Sequence, residues 1–389
     1  MRRSKQCRLR TFLPYWTGRS NELKLLHISD LHIGKRLYGF DLEDDQRHIL
    51  SEIIKIITAE EPDAVLIAGD IYDRADPSAT AVRIFDDFLS MLAETGTRIF
   101  IIYGNHDSAS RIAYGSRILD NSGIHISPVY DGKVEPVRLE DEYGPVDIYM
   151  LPYIRSVEAE DALQQIKTDD AARNVIISHQ FVTSAVIGDS EEMNIGTLDN
   201  IDGSLYSAFD YAALGHIHMP QTIKSDNNIR YSGSPLAYSF SDSDMLPKSV
   251  TAVELKEKGS VDVRTIPLEP IHRMCTIKGR FDEIINDKTL IKEHKDDYLR
   301  VILTDEVGVL DAMSKLQTVF DGVMTLEYEY MKEQSEDIYI EEAKAEGKPA
   351  ELFEELYKEQ HDGKEPKEEQ KQKIEELIRE IWEDGNETD

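Results

Sequence analysis

Short apolar runs alternate with amphipathic stretches along the first third of the chain. Leu23–Ser29 is almost continuously apolar and predicts a buried strand that stops at Asp30. Asp44–Ala59 places Ile49, Ile53, Ile56 and Ile57 at helical spacing. Ala64–Ala68 is a second apolar run, ending at Gly69-Asp70. Ala79–Thr95 returns to the helical period through Val82, Phe85, Leu89 and Leu92, and Arg98–Tyr103 is a third run, ending at Gly104-Asn105. Strand, helix, strand, helix, strand in this order predicts an α/β fold with parallel strands and helical crossovers.

A second series follows. Asp147–Leu151, Asn174–Ser178, Tyr211–Leu214 and Asn228–Tyr231 read as strands, and Thr251–Leu255 with Val261–Pro267 reads as a hairpin around Lys256-Glu-Lys-Gly-Ser260. The first domain is therefore expected over 23–270. From His272 the pattern restarts, with strands at Met274–Gly279, Tyr298–Leu303 and Val323–Tyr330 and a helix at Val309–Val319, which predicts a small α+β domain over 271–332. The tail, 333–389, carries two apolar stripes: Leu352, Phe353, Leu356 and Tyr357, then Ile374, Leu377, Ile378, Ile381 and Trp382. Two short amphipathic helices on a charged linker cannot bury their stripes alone, so they must dock on their own domain or on a partner. Residues 1–22 are basic and irregular and lack the apolar core of a secretory signal; they are read as a disordered N-terminal extension.

Composition narrows the function. A length of 389 residues allows two or three domains. The net charge of −31 argues against non-specific coating of nucleic acid, but not against a nucleic-acid enzyme whose phosphate site takes its positive charge from metal ions. Cys7 and Cys275 make no disulfide framework and fit a cytoplasmic, reducing setting. No apolar stretch reaches the ~18 residues a membrane helix needs.

The chemistry lies where the apolar runs stop. Asp30, His32, Asp70, Asn105, His179, His216 and His218 each follow such a run, where loops at the carboxyl ends of strands gather in one crevice. Carboxylate, imidazole and amide donors without thiolate suit manganese, iron or zinc better than calcium. A carboxylate after Gly69 can bridge two ions, and ions about 3.5–4 Å apart activate water and clamp a phosphate. His106 is a candidate general acid, or a cation stabilising the transition state, rather than a ligand, with Asp73 as its orienting carboxylate and Asp107 as second choice, loop capping being the competing role for Asp107. Arg74 is a candidate phosphate contact, and His27, inside the first run, is read as core.

Asp30-x-His32, Gly69-Asp70-x-x-Asp73, Gly104-Asn105-His106-Asp107, His179 and Gly215-His216-x-His218 resemble the calcineurin-like metallophosphoesterase superfamily. The fuller text Leu25-Leu-His-Ile-Ser-Asp-Leu-His-Ile-Gly-Lys35, with Ala68-Gly-Asp-Ile-Tyr-Asp73, Leu214-Gly-His-Ile-His218 and Tyr231-Ser-Gly-Ser-Pro-Leu236, resembles its SbcD family. That resemblance implies a helix-flanked β-sandwich, a capping domain and a helical tail. It implies one ion on Asp30, His32, Asp70 and His218, and a second on Asp70, Asn105, His179 and His216, both manganese. It also implies a DNA nuclease in repair, replication and recombination: an ATP-dependent double-strand exonuclease and a single-strand or hairpin endonuclease. The tail would grip the SMC-like ATPase subunit SbcC, in a heterotetramer built on a nuclease homodimer. Asp73 follows the bacterial form of the motif. Two other readings share the scaffold, a phosphatase or phosphodiesterase of another substrate class and a non-catalytic protein. The first would not need the extra domain and tail, and the second should have lost ligands.

Overall fold

The structure, a computed structural model, describes residues 22–330 except 184, 186–199, 224–227 and 242, together with positions 358, 365, 366, 371 and 373. The apolar stripes of the tail, and the extension as far as residue 21, lie outside these residues. Contacts divide the chain into two units, 1–302 with 309–326, and 303–308 with 327–389.

The main elements in chain order are β1 (Leu23–Ile28), α1 (Glu43–Glu60), β2 (Ala64–Ala68), α2 (Ala79–Thr95), β3 (Arg98–Ile102) and β4 (Ile124–Ile126). Next come β5 (Val137–Asp141), β6 (Gly144–Leu151), α3 (Ser156–Gln165), β7 (Arg173–Ser178), β8 (Tyr211–Leu214), β9 (Gln221–Thr222) and β10 (Ile229–Tyr231). The hairpin β11 (Ser249–Leu255) and β12 (Val261–Pro267) is followed by β13 (Met274–Gly279), α4 (Phe281–Asn286), α5 (Lys288–Glu293), β14 (Tyr298–Leu303), α6 (Ala312–Leu316) and β15 (Val323–Tyr328).

Two six-stranded sheets form, in the orders β12-β11-β1-β2-β3-β4 and β9-β10-β8-β7-β6-β5, and a three-stranded sheet in the order β13-β14-β15. In the first, β1 to β4 run parallel and the hairpin adds antiparallel strands at the β1 edge. In the second, β6, β7, β8 and β10 run parallel.

Side chains of a strand alternate between faces, so a strand buried on both reads as one continuous apolar run. Strand β2 shows it: Leu66 joins Leu25, Phe100, Val175, Ile177 and Ala213 between the sheets, while Val65 and Ile67 face Ile53 and Ile57 of α1 and Phe88 of α2. On the far face of the second sheet, Ile176 and Leu214 pack with Ala159 and Leu163 of α3. The result is helices, sheet, sheet, helix, and the carboxyl ends of β1, β2, β3, β7 and β8 carry the expected ligands.

Three details differ from the periodicity. The buried face of α2 is Ala81, Ile84, Phe85, Phe88 and Leu92, while Val82 is exposed, because the helix packs through the i, i+3, i+4 row that begins at Ala81. Of the helix expected over Val309–Val319, only Ala312–Leu316 is α-helical; Asp311 before it has φ 54° and Leu310 is exposed. Helix α3 is not apparent from periodicity, since Val157 at its start faces solvent.

A buried ion pair links the sheets. Arg173 of β7 pairs with Asp141 of β5 and donates to the carbonyls of Leu255 (3.2 Å) and Lys256 (3.2 Å) at the end of β11. Removing one partner of such a pair strands the other charge, so Arg173→Ala is expected to cost about 3–5 kcal/mol in urea unfolding. A loss under about 1 kcal/mol would show that water reaches Asp141 freely.

Candidate metal centre

Five loops converge at the strand ends, and the backbone holds them together. Asp30 N–H donates to Gly69 C=O (3.1 Å), His32 N–H to Asp70 C=O (3.0 Å) and Ile33 N–H to Ile71 C=O (2.9 Å), so the loops after β1 and β2 run on as a pair. The Asp107 carboxylate accepts from Ile71, Tyr72 and Gly104 N–H, each at 3.0 Å, and ties the loop after β2 to the loop after β3. That is the loop-capping role, not contact with His106.

Three glycines let these loops close. A Cβ at Gly69 would lie 2.3 Å from His179 Nδ1, at Gly104 2.1 Å from Asp70 Oδ1, and at Gly215 1.9 Å from Ala68 O. Four expected ligands also have left-handed backbone: Asp30 (φ 54°), His32 (φ 43°), Asp70 (φ 47°) and His216 (φ 100°). Non-glycine residues adopt this region at an energetic cost, and such strain gathers at functional sites.

The structure brings all seven expected donors together. His32 Nε2 and His218 Nε2 face each other at 3.0 Å. Asp70 Oδ2 lies 3.3 Å from His179 Nε2 and 3.6 Å from His32 Nε2. Asn105 Oδ1 lies 3.1 Å from His179 Nε2 and 3.0 Å from His216 Nδ1. Donor atoms of Asp30, His32 and His218 form one group able to hold an ion, and those of Asp30, Asp70 and His179 another. Asp30, His32, Asp70, His179 and His218 are buried, whereas Asn105, His106 and His216 are half-buried and form the open rim.

The donor set fits metal ions on its own chemistry. His179 Nδ1–H donates to Ala68 C=O (2.7 Å), because a carbonyl can only accept, and this aims the Nε2 of His179 at Asp70. Burial, opposed by His179 and reinforced by Asp70, pushes the Asp30 carboxyl up to about 7. Burial pushes His32 down to about 3 and His218 well below its usual range. Burial also disfavours charge on His179, but the Asp70 carboxylate overrides it and lifts the imidazole to about 9. Asp70, though buried, is held well below the ordinary carboxylate range by His179, His32 and His106. Two buried carboxylates among imidazoles thus reach charge balance only by taking up protons, and a divalent cation supplies that charge directly.

His106 stands beside this set. Its Nδ1–H donates to the main-chain carbonyl of Asp73 (3.0 Å), its backbone N–H donates to Asp70 Oδ1 (2.9 Å), and its Nε2 is 4.0 Å from Asp70 Oδ2. The carboxylate of Asp73 turns elsewhere, accepting from Lys35 Nζ at 2.7 Å and lying 3.7 Å from His32 Nδ1. The expected carboxylate–imidazole pair is therefore replaced by a carbonyl–imidazole pair, since the turn at Asp73 presents its backbone to the ring. Arg74 is largely exposed, with Nε 3.7 Å from Asp73 Oδ2.

A family model described as calcineurin-like phosphoesterase matches residues 23–220, and one described as the type 5 capsule protein repressor C-terminal domain matches residues 270–361. A curated relative, the SbcD subunit of the nuclease SbcCD from Staphylococcus saprophyticus subsp. saprophyticus, is 32% identical over 324 residues, spanning 78% of this chain and 84% of that protein. The chain belongs to the SbcD family of calcineurin-like phosphoesterases. Solved structures resemble this SbcD-family chain more distantly. A dimetal phosphatase from Danio rerio is 11% identical, with a TM-score of 0.36, over 64% of this chain and 99% of that one. GAP50, the anchor in the inner membrane complex of Plasmodium, is 13% identical, with a TM-score of 0.40, over 78% and 96%.

A supporting layer behind the SbcD-family site goes beyond the motifs. Ser29 Oγ hydrogen-bonds the Asp30 carboxylate and lies 2.8 Å from Ser232 Oγ, and Ser234 N–H donates to His218 C=O (3.1 Å). The Tyr231–Leu236 motif thus steadies ligands on two loops, which its text alone does not say. Gln46 Nε2 donates to His32 C=O (2.8 Å), and the Tyr238 ring stands edge-on to His32 and His218 at 5.5 and 5.9 Å. Both come from stretches that carry no ligand. Gly104→Ala drives a methyl into Asp70; it is expected to cost at least about 1–3 kcal/mol and to lower metal content, read by thermal unfolding and metal analysis. Wild-type metal content in that variant would show that the loop yields without moving Asp70.

Proposed function

We propose that this chain is the metal-dependent DNA nuclease subunit of an SbcC–SbcD-type complex in DNA repair, replication and recombination. It would act as an ATP-dependent double-strand exonuclease and a single-strand or hairpin endonuclease. The observation that carries this reading is the curated nuclease relative matched at 32% identity over 78% of the chain. Asp30, His32, Asp70 and His218 would hold one ion, and Asp70, Asn105, His179 and His216 the other. Manganese suits this nitrogen and oxygen set. When bound, the ions supply Lewis-acid activation of water and stabilisation of phosphate charge.

The chain's own residues do the rest. Asp73 C=O fixes the ring of His106, whose Nε2–H gives a proton to the leaving oxygen. Asn105, His106 and His216 form the rim that a phosphodiester meets first, and Arg74 reaches the phosphate from solvent. Residues 23–270 act as the nuclease domain and 271–332 as the DNA-capping domain. Residues 333–389, whose apolar stripes lie outside the described residues, would bind the ATPase subunit, in a heterotetramer around a nuclease homodimer in the cytoplasm. Among the described residues no helix is long and apolar enough to cross a membrane.

The test is manganese-dependent cleavage of hairpin DNA beside hydrolysis of p-nitrophenyl phosphate. Cleavage of the hairpin, lost with chelator and restored by manganese, is the expected result. Strong monoester turnover with no DNA cleavage, with or without the ATPase, would overturn the nuclease reading. Deleting the residues after Glu346 is expected to abolish co-purification with the ATPase subunit while metal binding persists; an unfolded truncation would mean that the tail packs on its own chain.

A further inference from the structure

A second cluster of donors lies in the small sheet. Cys275 is on β13, His294 follows α5, and Asp297 precedes β14; Asp297 is buried and the other two are half-buried. Donor atoms of the three lie within 4.8 Å of one another. His294 Nδ1 is 2.9 Å from Asp297 Oδ2, and Cys275 Sγ donates to the same oxygen at 3.5 Å. Arg273 completes the surroundings, with Nε on Oδ1 at 3.0 Å and Nη2 on Oδ2 at 2.8 Å.

We propose that Cys275, His294 and Asp297 form a further metal site, selective for a thiophilic ion of the zinc class. Three donors converge on Asp297 Oδ2, more than the two lone pairs of one carboxylate oxygen can serve. An ion at the centre replaces that crowding with three bonds. Tetrahedral zinc with bonds of about 2.0–2.3 Å needs donor separations of roughly 3.3–3.8 Å, so Cys275 Sγ and Asp297 Oδ2 at 3.5 Å already fit, and only His294 Nδ1 and Asp297 Oδ2 at 2.9 Å must part by a few tenths of an ångström. On loading, the Cys275 thiol releases its proton to solvent, neutral His294 binds through Nδ1, and Arg273 keeps its Nε bond to Oδ1. Thiolate and carboxylate together match the charge of a divalent ion. Cys275 and Arg273 also line a cavity of about 380 Å³, which provides an entry path to the sulfur. The sulfur ligand separates this site from the main centre, whose expected donors are nitrogen and oxygen alone.

The arrangement gives the ion a consequence. Next to Arg273 and Asp297, His272 Nδ1 and Tyr298 Oη contact the carboxylate of Asp45 on α1 at 2.9 and 2.7 Å. Tying Cys275 to Asp297 therefore stiffens the point where the small sheet meets α1.

The test is cobalt titration of the reduced full chain in a Cys7→Ser background, followed by zinc competition. A thiolate-to-cobalt absorption band can then arise only from Cys275. The expected result is a band whose plateau corresponds to one cobalt–thiolate site per chain, and which is displaced by zinc and resists excess manganese. Cys275→Ser should abolish it, His294→Ala should weaken cobalt affinity by at least about 100-fold, and Arg273→Gln should strengthen it. Absence of the band at saturating cobalt, in both the Cys7→Ser chain and its Arg273→Gln derivative, would overturn the site. Equal cobalt affinity with and without His294 would overturn the assignment as well. These readouts do not depend on nuclease activity, so they fail or succeed apart from the proposed function.

Discussion

Asp70→Ala is expected to remove bound metal and to lower phosphodiester hydrolysis by at least about 10³-fold. Asp70 is buried with three imidazoles around Oδ2, while Oδ1 holds the backbone of His106. In the expected assignment Asp70 alone would touch both ions, although Asp30 is the member shared by the two donor groups. Its loss takes away the charge that draws cations into a desolvated pocket, and with them several kcal/mol of transition-state stabilisation. A protein that binds metal only when folded gains about 2.7 kcal/mol at one hundred times the dissociation constant. Manganese should therefore raise the melting temperature of the wild type and leave that of Asp70→Ala unchanged. Metal analysis after gel filtration checks the same point, and two ions per chain in the variant would refute the bridging role.

The second large effect concerns His106. His106→Ala should retain its metal and lose about 10²–10⁴-fold in kcat, the usual contribution of a positioned general acid. The imidazole is half-buried at the rim, and its ring is steadied by a carbonyl rather than shared between the buried carboxylates. There is a competing geometry: donor atoms of His32, Asp73 and His106 also fall within bonding range of one point. The two roles part on measurement. A general acid leaves metal content and KM nearly intact, whereas a ligand takes metal with it when removed. Metal loss in His106→Ala would move His106 into the donor set.

Much of this site is legible in the sequence because its physical cause is local. Strands buried on both faces are largely apolar, so the first ionisable residue beyond Ile28, Ala68 or Leu214 announces the strand end and what stands there. The adjoining glycines are legible as motif letters, but their reason is not, since the atoms a Cβ would strike at Gly69 and Gly215 belong to segments far away in sequence. The partner of Asp73 is equally hidden. Spacing places this residue near His106, yet which part of it faces the ring depends on the turn, and Lys35, from the loop after β1, captures the carboxylate. Arg173 shows the same limit in the fold: its partners are 32 and more than 80 residues away in sequence. The buried face of α2 differs by one position from the one expected because amphipathic spacing alone fits neighbouring rows nearly as well.

The bond from His179 to the carbonyl of Ala68 joins a ligand of the second sheet to a strand of the first. Close by, His27 of β1 makes two more such ties, Nε2–H to Leu214 C=O at 3.1 Å and Nδ1 to the Tyr211 hydroxyl at 3.0 Å, and burial keeps it neutral. The metal centre is thus a gauge of the shear between the two sheets. A repacking of Leu66 or Val175 that slides one sheet by a fraction of an ångström would tilt His179 long before the protein unfolds. Mild wear in the inter-sheet layer would first be felt as leakage of metal.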